Sequence, residues 1–299
     1  MAMTMAEFRR LADPDLDAIW FEGEKELEEQ YSKVMKTVGQ PNLYSIEAQM
    51  AGFDTFEEIT EGGEVQYDEA VSPRERRYDL VKRGRGYKIT DKLWKFDRHK
   101  EVQGLEKALM RADRADTEKF FMGVFNSATL TTISTGFDGL ALSSTAHVRM
   151  DGGAVQANRP TVLTALSLSA IQDAYLAFRQ LLDERGRPYD TRPDTLLIQP
   201  QLIITAREIL ESKLDPNTAN NTVNVVNSLG LKLVENFYLT GSTFCALMDS
   251  TGHDINARWN ERPATGSDED FDTDTIKRKV TKWMGRGHGD WRGFYQLNT

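Results

Sequence analysis

At 299 residues the chain is long enough for one large core or two ordinary ones. Its 39% hydrophobic and 28% charged residues, with five Trp, nine Tyr and fourteen Phe, exclude disorder throughout yet leave much chain facing solvent or partners. A net charge of −9 excludes a sequence-reading DNA binder, because neutralising phosphates requires Lys and Arg in clustered excess.

The first residues, MAMTMAEFRRLADPDLD, lack the apolar stretch of a signal peptide, and no run approaches the roughly 18 apolar residues that cross a bilayer. No membrane partner is expected. Residues 15 to 38 carry Leu16, Ile19, Trp20, Leu27, Tyr31, Val34 and Val38 at helical spacing. Glu22, Glu24, Glu26, Glu28 and Glu29 lie opposite, and Gly39-Gln40-Pro41 ends the stripe. A short helix with one apolar stripe is unstable alone, so it must dock. Trp20 and Tyr31 are its candidate contacts with a neighbouring copy.

Residues 53 to 90 read as two strands around a turn at Ser72-Pro73. The ascending arm is acidic throughout (Asp54, Glu57, Glu58, Glu61, Glu64, Asp68, Glu69), while the descending arm carries Arg74, Arg76, Arg77, Lys82, Arg83, Arg85 and Lys88. Opposite charges across an antiparallel pair contribute roughly 0.2 to 1 kcal/mol each. The hairpin has little apolar core of its own, and a lone two-stranded ribbon is marginal in water, so it needs an external surface.

Thr90 or Asp91 caps a helix running to about Asn126, with Leu105, Leu109, Ala112, Ala115, Phe120 and Val124 on its buried side. Gly136, Gly139, Gly152 and Gly153 mark an irregular connection. Ser167 or Ser169 then starts a helix over Ile171, Ala174, Tyr175, Phe178, Leu181 and Leu182, stopped by Gly186 and Pro188. Residues 194 to 199 form a short buried strand, and Pro200 opens a helix to about Ser212. DPNTANNTVN is a loop; LGLKLVENFYL and TFCALMD are two further strands. Cys245, the single cysteine, sits in the second as a buried small hydrophobe, which excludes a disulfide framework and fits synthesis in a reducing, bacterial cytoplasm. After Gly252 come INARW, an acidic loop (Asp268, Glu269, Asp270, Asp272, Asp274) and two closing strands, IKRKVTKW and DWRGFYQL.

Catalytic, cofactor-binding and metal-ligating patterns are missing from this order. His99, His147, His253 and His288 stand in neither HExxH nor HxH spacing, and there is no GxSxG elbow or P-loop. The glycines of RGRG and GRGHGD read as turns. In SDEDFDTDT the sixth position after Asp268 is Thr273 and the twelfth Lys279, where a calcium loop needs Gly and Glu. A solvated acidic loop is the plain reading, and a charge-matched subunit contact the sharper one.

Residues 138 to 158, DGLALSSTAHVRMDGGAVQAN, follow the hairpin and precede DTLLIQPQLIITAREIL and the closing FDTDTIKRKVTKWMGRGHGDWRG. In that order these stretches resemble tailed-phage major capsid proteins of the Mu-type major head subunit family. The likeness runs from about Phe53 to the end and is loosest over residues 1 to 52. It implies an α+β, Hong Kong 97-type capsid fold. Its parts are an N-terminal arm over 1 to 52, an extended hairpin loop over 53 to 90 that lies across the adjacent subunit, and a peripheral domain with a spine helix over 91 to 158. An axial α/β domain over 159 to 252 and peripheral return strands over 253 to 299 complete it.

The resemblance also implies a structural role without catalysis or cofactor. The subunit is expected to assemble into hexamers and pentamers of an icosahedral shell around the double-stranded DNA of a tailed bacteriophage or prophage. Expected partners are other copies of itself, scaffolding, portal and decoration proteins, and DNA held without sequence-specific binding. The expected location is the virion, after assembly in the host cytoplasm. No large segment precedes the first helix, which points to a separate scaffolding protein or to trimming. Lys82 or Lys88 with Asn260 are the conceivable cross-linking counterparts, but no motif surrounds them and no covalent link is expected. Two other readings stay open: an encapsulin-like nanocompartment shell with enzyme cargo, and a soluble α/β enzyme or binding protein built on residues 160 to 250.

Charge predicts one contact. A net +5 over residues 72 to 88 faces −5 over 265 to 275, so the basic arm is expected to reach a neighbour's acidic loop. Exposed ion pairs contribute roughly 0 to 1 kcal/mol each, so such a match sets register and approach more than strength. Strength would come from apolar burial of the N-terminal stripe and of the aromatics near Trp283 and Trp291.

Overall fold

A computed structural model describes residues 17–298, apart from 21–22, 24–27, 57, 66, 69–71, 91–92, 94–99, 216–222, 271–272 and 274. In chain order the strands and helices begin with β1 (Lys36–Gly39), β2 (Tyr44–Gln49), β3 (Arg74–Asp79), β4 (Val81–Thr90), α1 (Lys100–Asn126) and α2 (Leu168–Arg179). There follow β5 (Thr195–Ile198), α3 (Ile203–Glu211), α4 (Val225–Ser228), β6 (Lys232–Glu235), β7 (Cys245–Met248), β8 (Ile255–Asp270), β9 (Thr275–His288) and β10 (Phe294–Asn298).

The strands make two four-stranded sheets and a ribbon. The large sheet has the order β1-β8-β9-β4, the small sheet β10-β7-β5-β6, and β2 pairs with β3. Along β9 alternate residues are buried, as one covered face requires. Ile276, Arg278, Val280, Lys282 and Met284 lie on the face that α1 covers. In the small sheet β5 and β7 are buried at every position, because both faces are packed. Leu197, Ala246, Met248 and Phe294 meet the end of α1 and the start of β8. Leu196, Ile198, Cys245 and Leu247 meet α2, α3 and α4 on the other side. One continuous core therefore joins the two sheets around the C-terminal half of α1.

Several sequence expectations hold. Helix α1 ends at Asn126, Ser167 caps α2 by accepting from Ala170 N, and Pro200 starts a 3-10 turn that leads into α3. Leu93 is helical and its N–H points to Thr90 Oγ1 at 3.4 Å, while Asp91 and residues 94–99, where the expected helix start falls, lie outside the described residues. Most of the loop at 215 to 224 also lies outside them.

Other expectations are corrected. Residues 17–20 are helical, but Tyr31–Lys33 is a 3-10 turn and Val38 belongs to β1, which pairs in parallel with β8. Backbone pairing with β8 outweighs the helical period of so short a stretch. Leu16, Glu22, Glu24, Glu26 and Leu27 lie outside the described residues. The described residues of 50 to 73 form no strand, and the basic arm divides in two: β3 pairs with β2, and after Leu80 β4 pairs with β9. YSIEAQ supplies the alternation that 53 to 71 lacks. Strand β10, expected beside the return strands, instead closes the small sheet against β7. Gly84 and Gly86 of RGRG and Gly285 and Gly287 of GRGHGD stand in strands rather than turns, while Gly289 lies in a bend just after β9. A Cβ on Gly86 would lie 2.4 Å from the Arg278 carbonyl oxygen of β9, and one on Gly287 would lie 2.8 Å from Tyr78 Cε1. These glycines let β9 be crossed at close range.

Candidate assembly surfaces

Ribbon β2-β3 is seated through one face. Tyr78 is buried beneath the Arg258 guanidinium, which lies 3.6 Å from the ring centroid. Arg258 donates to Ser45 Oγ (3.0 Å) and Glu47 Oε1 (2.6 Å) of β2, and Gln40 Nε2 donates to the Tyr78 carbonyl (3.2 Å). Arg74 donates to the carbonyls of Val148 (2.8 Å) and Arg149 (3.2 Å), and Arg76 to the Thr135 hydroxyl. The opposite face is open: Arg77 pairs with Asp79 (2.8 Å) and lies over the Tyr44 ring at 4.5 Å. From Leu43 to Tyr67 nine large apolar residues are exposed, Phe56 completely. A single chain has no reason to present such a run.

The rest of the basic arm is β4. Its odd residues face α1: Arg83 donates to Asp116 (3.0 Å) and Tyr87 Oη to Glu106 (2.6 Å). Its even residues face away, with Lys82 Nζ 5.6 Å from the Trp283 ring centroid. Arg85 and Lys88 are exposed, and neither has an ion-pair partner among the described residues. The acidic segment is the turn of the β8-β9 hairpin. Lys277 binds Asp270 at 2.6 Å, and Asp268 stands opposite Lys277 in the register. Lys88 stands opposite Lys277 on the other side. The expected charge match thus already lies side by side within one chain, because the ends of β4, β9 and β8 are neighbours in one sheet. The Glu269 side chain, Asp272 and Asp274 lie outside the described residues.

The N-terminal stripe also has its partner in its own chain. Trp20 is buried against Leu109, Met110 and Val280. Asp17 accepts from Thr265 Oγ1 (3.0 Å) and Arg278 Nη2 (2.7 Å). Tyr31 is buried with its ring 4.5 Å from that of Phe121, and burial pushes its phenol up to about 12. Glu118 of α1 accepts from the backbone N–H groups of Gln30 (2.8 Å) and Tyr31 (3.0 Å). Trp20 and Tyr31, expected to face a neighbour, are therefore anchors to the chain's own α1. Periodicity could not show two buried cations: Lys282 on Asp113 (2.8 Å) and Asp116 (3.2 Å), and Arg278 on Glu106 (2.9 Å).

The DGLALSSTAH stretch forms a buried polar knot. His147 Nδ1 lies 2.6 Å from Asp138 Oδ2 and its Nε2 3.2 Å from Asn158 Oδ1, and the ring stacks on Trp291 at 4.1 Å. Burial acts to raise the Asp138 carboxyl, but the hydrogen bond and charge of His147 and the Leu140 N–H hold it below its ordinary value. Asn158 Nδ2 donates to the carbonyls of Leu142 (2.6 Å) and Phe294 (3.2 Å), which fastens β10. Alongside, Arg292 donates to Glu184 (2.7 Å) and Asp290 (3.2 Å). The knot joins the end of α1 to the small sheet. Among the described residues no group of three or more His, Cys, Asp or Glu is placed to hold a metal. Cys245 is buried, and burial pushes its thiol up to about 12. No described helix is long and apolar enough to cross a membrane.

A family model described as phage capsid protein matches residues 74–297. No curated protein matches the chain. Among solved structures, a Microbacterium phage Oxtober96 chain matches with a TM-score of 0.58 and 10% identity, covering 91% of this chain and 92% of that one. The bacteriophage JBD30 capsid matches with a TM-score of 0.60 and 13% identity over 72% and 92% of the two chains. Another structure of the JBD30 capsid is decorated with minor capsid protein trimers. The virus-like particle from Pyrococcus furiosus matches with a TM-score of 0.53 and 8% identity over 95% and 98%. At these identities the likeness is one of fold.

Proposed function

The chain belongs to the phage capsid protein family, and from that premise we propose that it builds its shell as hexamers and pentamers around double-stranded DNA. It is a structural subunit of a tailed-phage head, a major capsid protein that forms the shell of the virion. The mixed helix-and-sheet fold is of the Hong Kong 97 type. The observation that carries the finer reading is the apolar run from Leu43 to Tyr67, left exposed by a chain that otherwise buries its aromatics.

The proposed parts follow the fold. The loop between β2 and β3 reaches neighbours, the large sheet with α1 forms the peripheral domain, and the small sheet with α2 to α4 forms the axial domain. A closed shell needs one contact set that serves five-fold and six-fold surroundings. Rigid sheets with exposed loops between them meet that need. Inter-subunit contacts are assigned to the exposed cations Arg85 and Lys88 of β4, with Lys82 and Arg83 beside them, and to the hairpin turn Asp268, Glu269, Asp270, Asp272 and Asp274. Arg74 and Arg76 act one step back, by holding the ribbon that reaches the neighbour, and Arg77 stands on the ribbon's open face.

The net charge of −9 supports mechanical retention of DNA rather than tight binding. Assembly takes place in the host cytoplasm with scaffolding and portal proteins, and a decoration protein is a further partner. The role is non-catalytic and needs no cofactor. Electron microscopy of the purified chain, with nuclease digestion of the particles, tests this reading. Closed shells that protect double-stranded DNA are expected when the packaging proteins are supplied. Shells holding one enzyme and no nucleic acid would favour a nanocompartment, and a monomer at every concentration would overturn the proposal.

A further inference from the structure

Helix α1 sorts its charges. Between Gly104 and Phe120 it carries four acids, Glu106, Asp113, Asp116 and Glu118, and each has its partner in the body of the chain. Glu106 meets Arg278 (2.9 Å), Asp113 and Asp116 meet Lys282 (2.8 and 3.2 Å), and Glu118 accepts from the backbone N–H groups of Gln30 and Tyr31. Of the four cations in the same stretch, Arg114 pairs with Glu29 (3.1 Å). The other three, Lys107, Arg111 and Lys119, are exposed, and none has an ion-pair partner among the described residues. A solvated helix gains from alternating the two signs at i,i+4 spacing, and this one does not. Its open face holds three free cations and no unpaired acid, on a chain of net charge −9.

The same face is smooth. Gly104, Ala108 and Ala112 are exposed and Ala115 is half-buried, and an added Cβ on Gly104 would meet nothing within 4 Å. Leu105 is the one large apolar side chain exposed between Gly104 and Lys119, at 39%. Lys107, Arg111 and Lys119 fall on one i,i+4 row that covers about 18 Å of helix axis. We infer that this face of α1 touches the DNA enclosed by the shell, through its phosphate backbone and without reading bases. The inference rests on the shell reading above and names the part of the subunit that meets the nucleic acid.

The chemistry separates DNA from other occupants. A protein partner is held by apolar or aromatic anchors in well-packed pockets, and a smooth row of glycine and alanine offers none. A phosphate backbone asks for cations on flexible stems, and small residues between them let the strand come close. Three cations make a loose contact. A duplex carries roughly one charge per 1.7 Å, so about ten phosphates pass along 18 Å of helix, and three cations neutralise under a third of them. Such a contact is weak at each subunit and repeated over the shell, which agrees with mechanical retention. The opposite face of the large sheet also holds lysines, Lys82, Lys88, Lys277 and Lys279, but acids stand among them. Asp270 binds Lys277 (2.6 Å), and Asp268 lies opposite that lysine in the register. A mixed surface suits contacts between subunits, whereas the α1 face suits a polymer of one sign.

The test compares DNA-filled shells of the full chain with the same shells after their DNA has been released. Both are treated briefly with acetic anhydride, and acetylation is read lysine by lysine by peptide mass spectrometry. Lys107 and Lys119 should react several-fold more slowly in filled shells, while Lys279 on the opposite face reacts equally in both. Equal reaction of Lys107 and Lys119 in the two states overturns the inference. Slow reaction in both states overturns it too, because a neighbour or another protein then covers the face. An independent arm replaces the cations together, as Lys107→Gln, Arg111→Gln and Lys119→Gln. Shells should form at the parental yield, but the fraction holding DNA should fall roughly threefold. The charge-preserving set Lys107→Arg, Arg111→Lys and Lys119→Arg should keep the parental fraction. Loss of shells in the glutamine variant assigns the face to protein contacts and ends the inference, as does an unchanged filled fraction. Failure of the parent chain to form shells, or to hold DNA in them, removes the shell reading itself.

Discussion

His147 shows how a residue that looks catalytic in sequence becomes structural. Both ring nitrogens face oxygen acceptors and its face lies on Trp291, so no edge is left for a substrate. Removing it leaves the Asp138 carboxylate buried without its main partner. His147→Ala should therefore cost about 3–5 kcal/mol, the range for breaking a buried pair, read by denaturant unfolding of the unassembled subunit. The other two described histidines, His253 and His288, titrate below their ordinary range. Burial and the nearby charge of Arg76 push His288 down to about 3, and burial and Lys36 push His253 down to about 4. Both stay neutral when folded but bind a proton near pH 6.5 when unfolded. Stability should thus fall as pH drops from about 6.5 toward 4. Each histidine contributes a slope of up to about 1.4 kcal/mol per pH unit in that window. Unfolding of His253→Gln should be measurably less steep in pH than that of the parent, and an unchanged profile would contradict the assignment.

At the scale of elements, glycines separate close packing from open surface. Gly104 lies on the exposed side of α1 with nothing within 4 Å of an added Cβ. Gly104→Ala should stabilise by about 0.5–1 kcal/mol through helix propensity. Gly86→Val meets the opposite sign: valine favours strands, but its Cβ would collide with the Arg278 carbonyl of β9. The collision should win, costing about 1–3 kcal/mol. Thermal unfolding of the two variants beside the parent checks both signs. The ribbon gives a second lesson. Reversing Arg74, Arg76 and Arg77 to Glu does not isolate a charged intersubunit contact. Two of these arginines hold the ribbon to its own body, so loss of shells in that variant would say nothing about the neighbour.

For the whole molecule, the open question is which surfaces finish only when copies meet. The loop at 51 to 68 is fastened at its base and makes little of the core. Replacing it with a short glycine linker should leave the unfolding midpoint of the subunit within a few degrees, a shift worth about 1 kcal/mol or less in a chain of this size. The same variant should form no shells by electron microscopy. A midpoint that falls sharply would mean that the loop serves its own chain rather than a neighbour.

The order of elements from α1 to β9 was legible because long apolar periods, a serine cap at Ser167 and a proline at Pro200 act locally, within a few residues of the structure they set. The capsid resemblance was legible for a related reason: the stretch from Asp138 to Asn158 closes a knot from residues near in sequence, and such knots leave a fixed phrase. What the chain order left undecided was pairing between distant segments. The tertiary structure alone gave β1 to β8, split the basic arm between β2 and β9, and sent β10 to the small sheet. It alone buried Lys282, Arg278, Trp20 and Tyr31 under α1. A strand's partner depends on which backbone lies beside it once the core has closed, and that depends on contacts hundreds of residues apart, which no local period records.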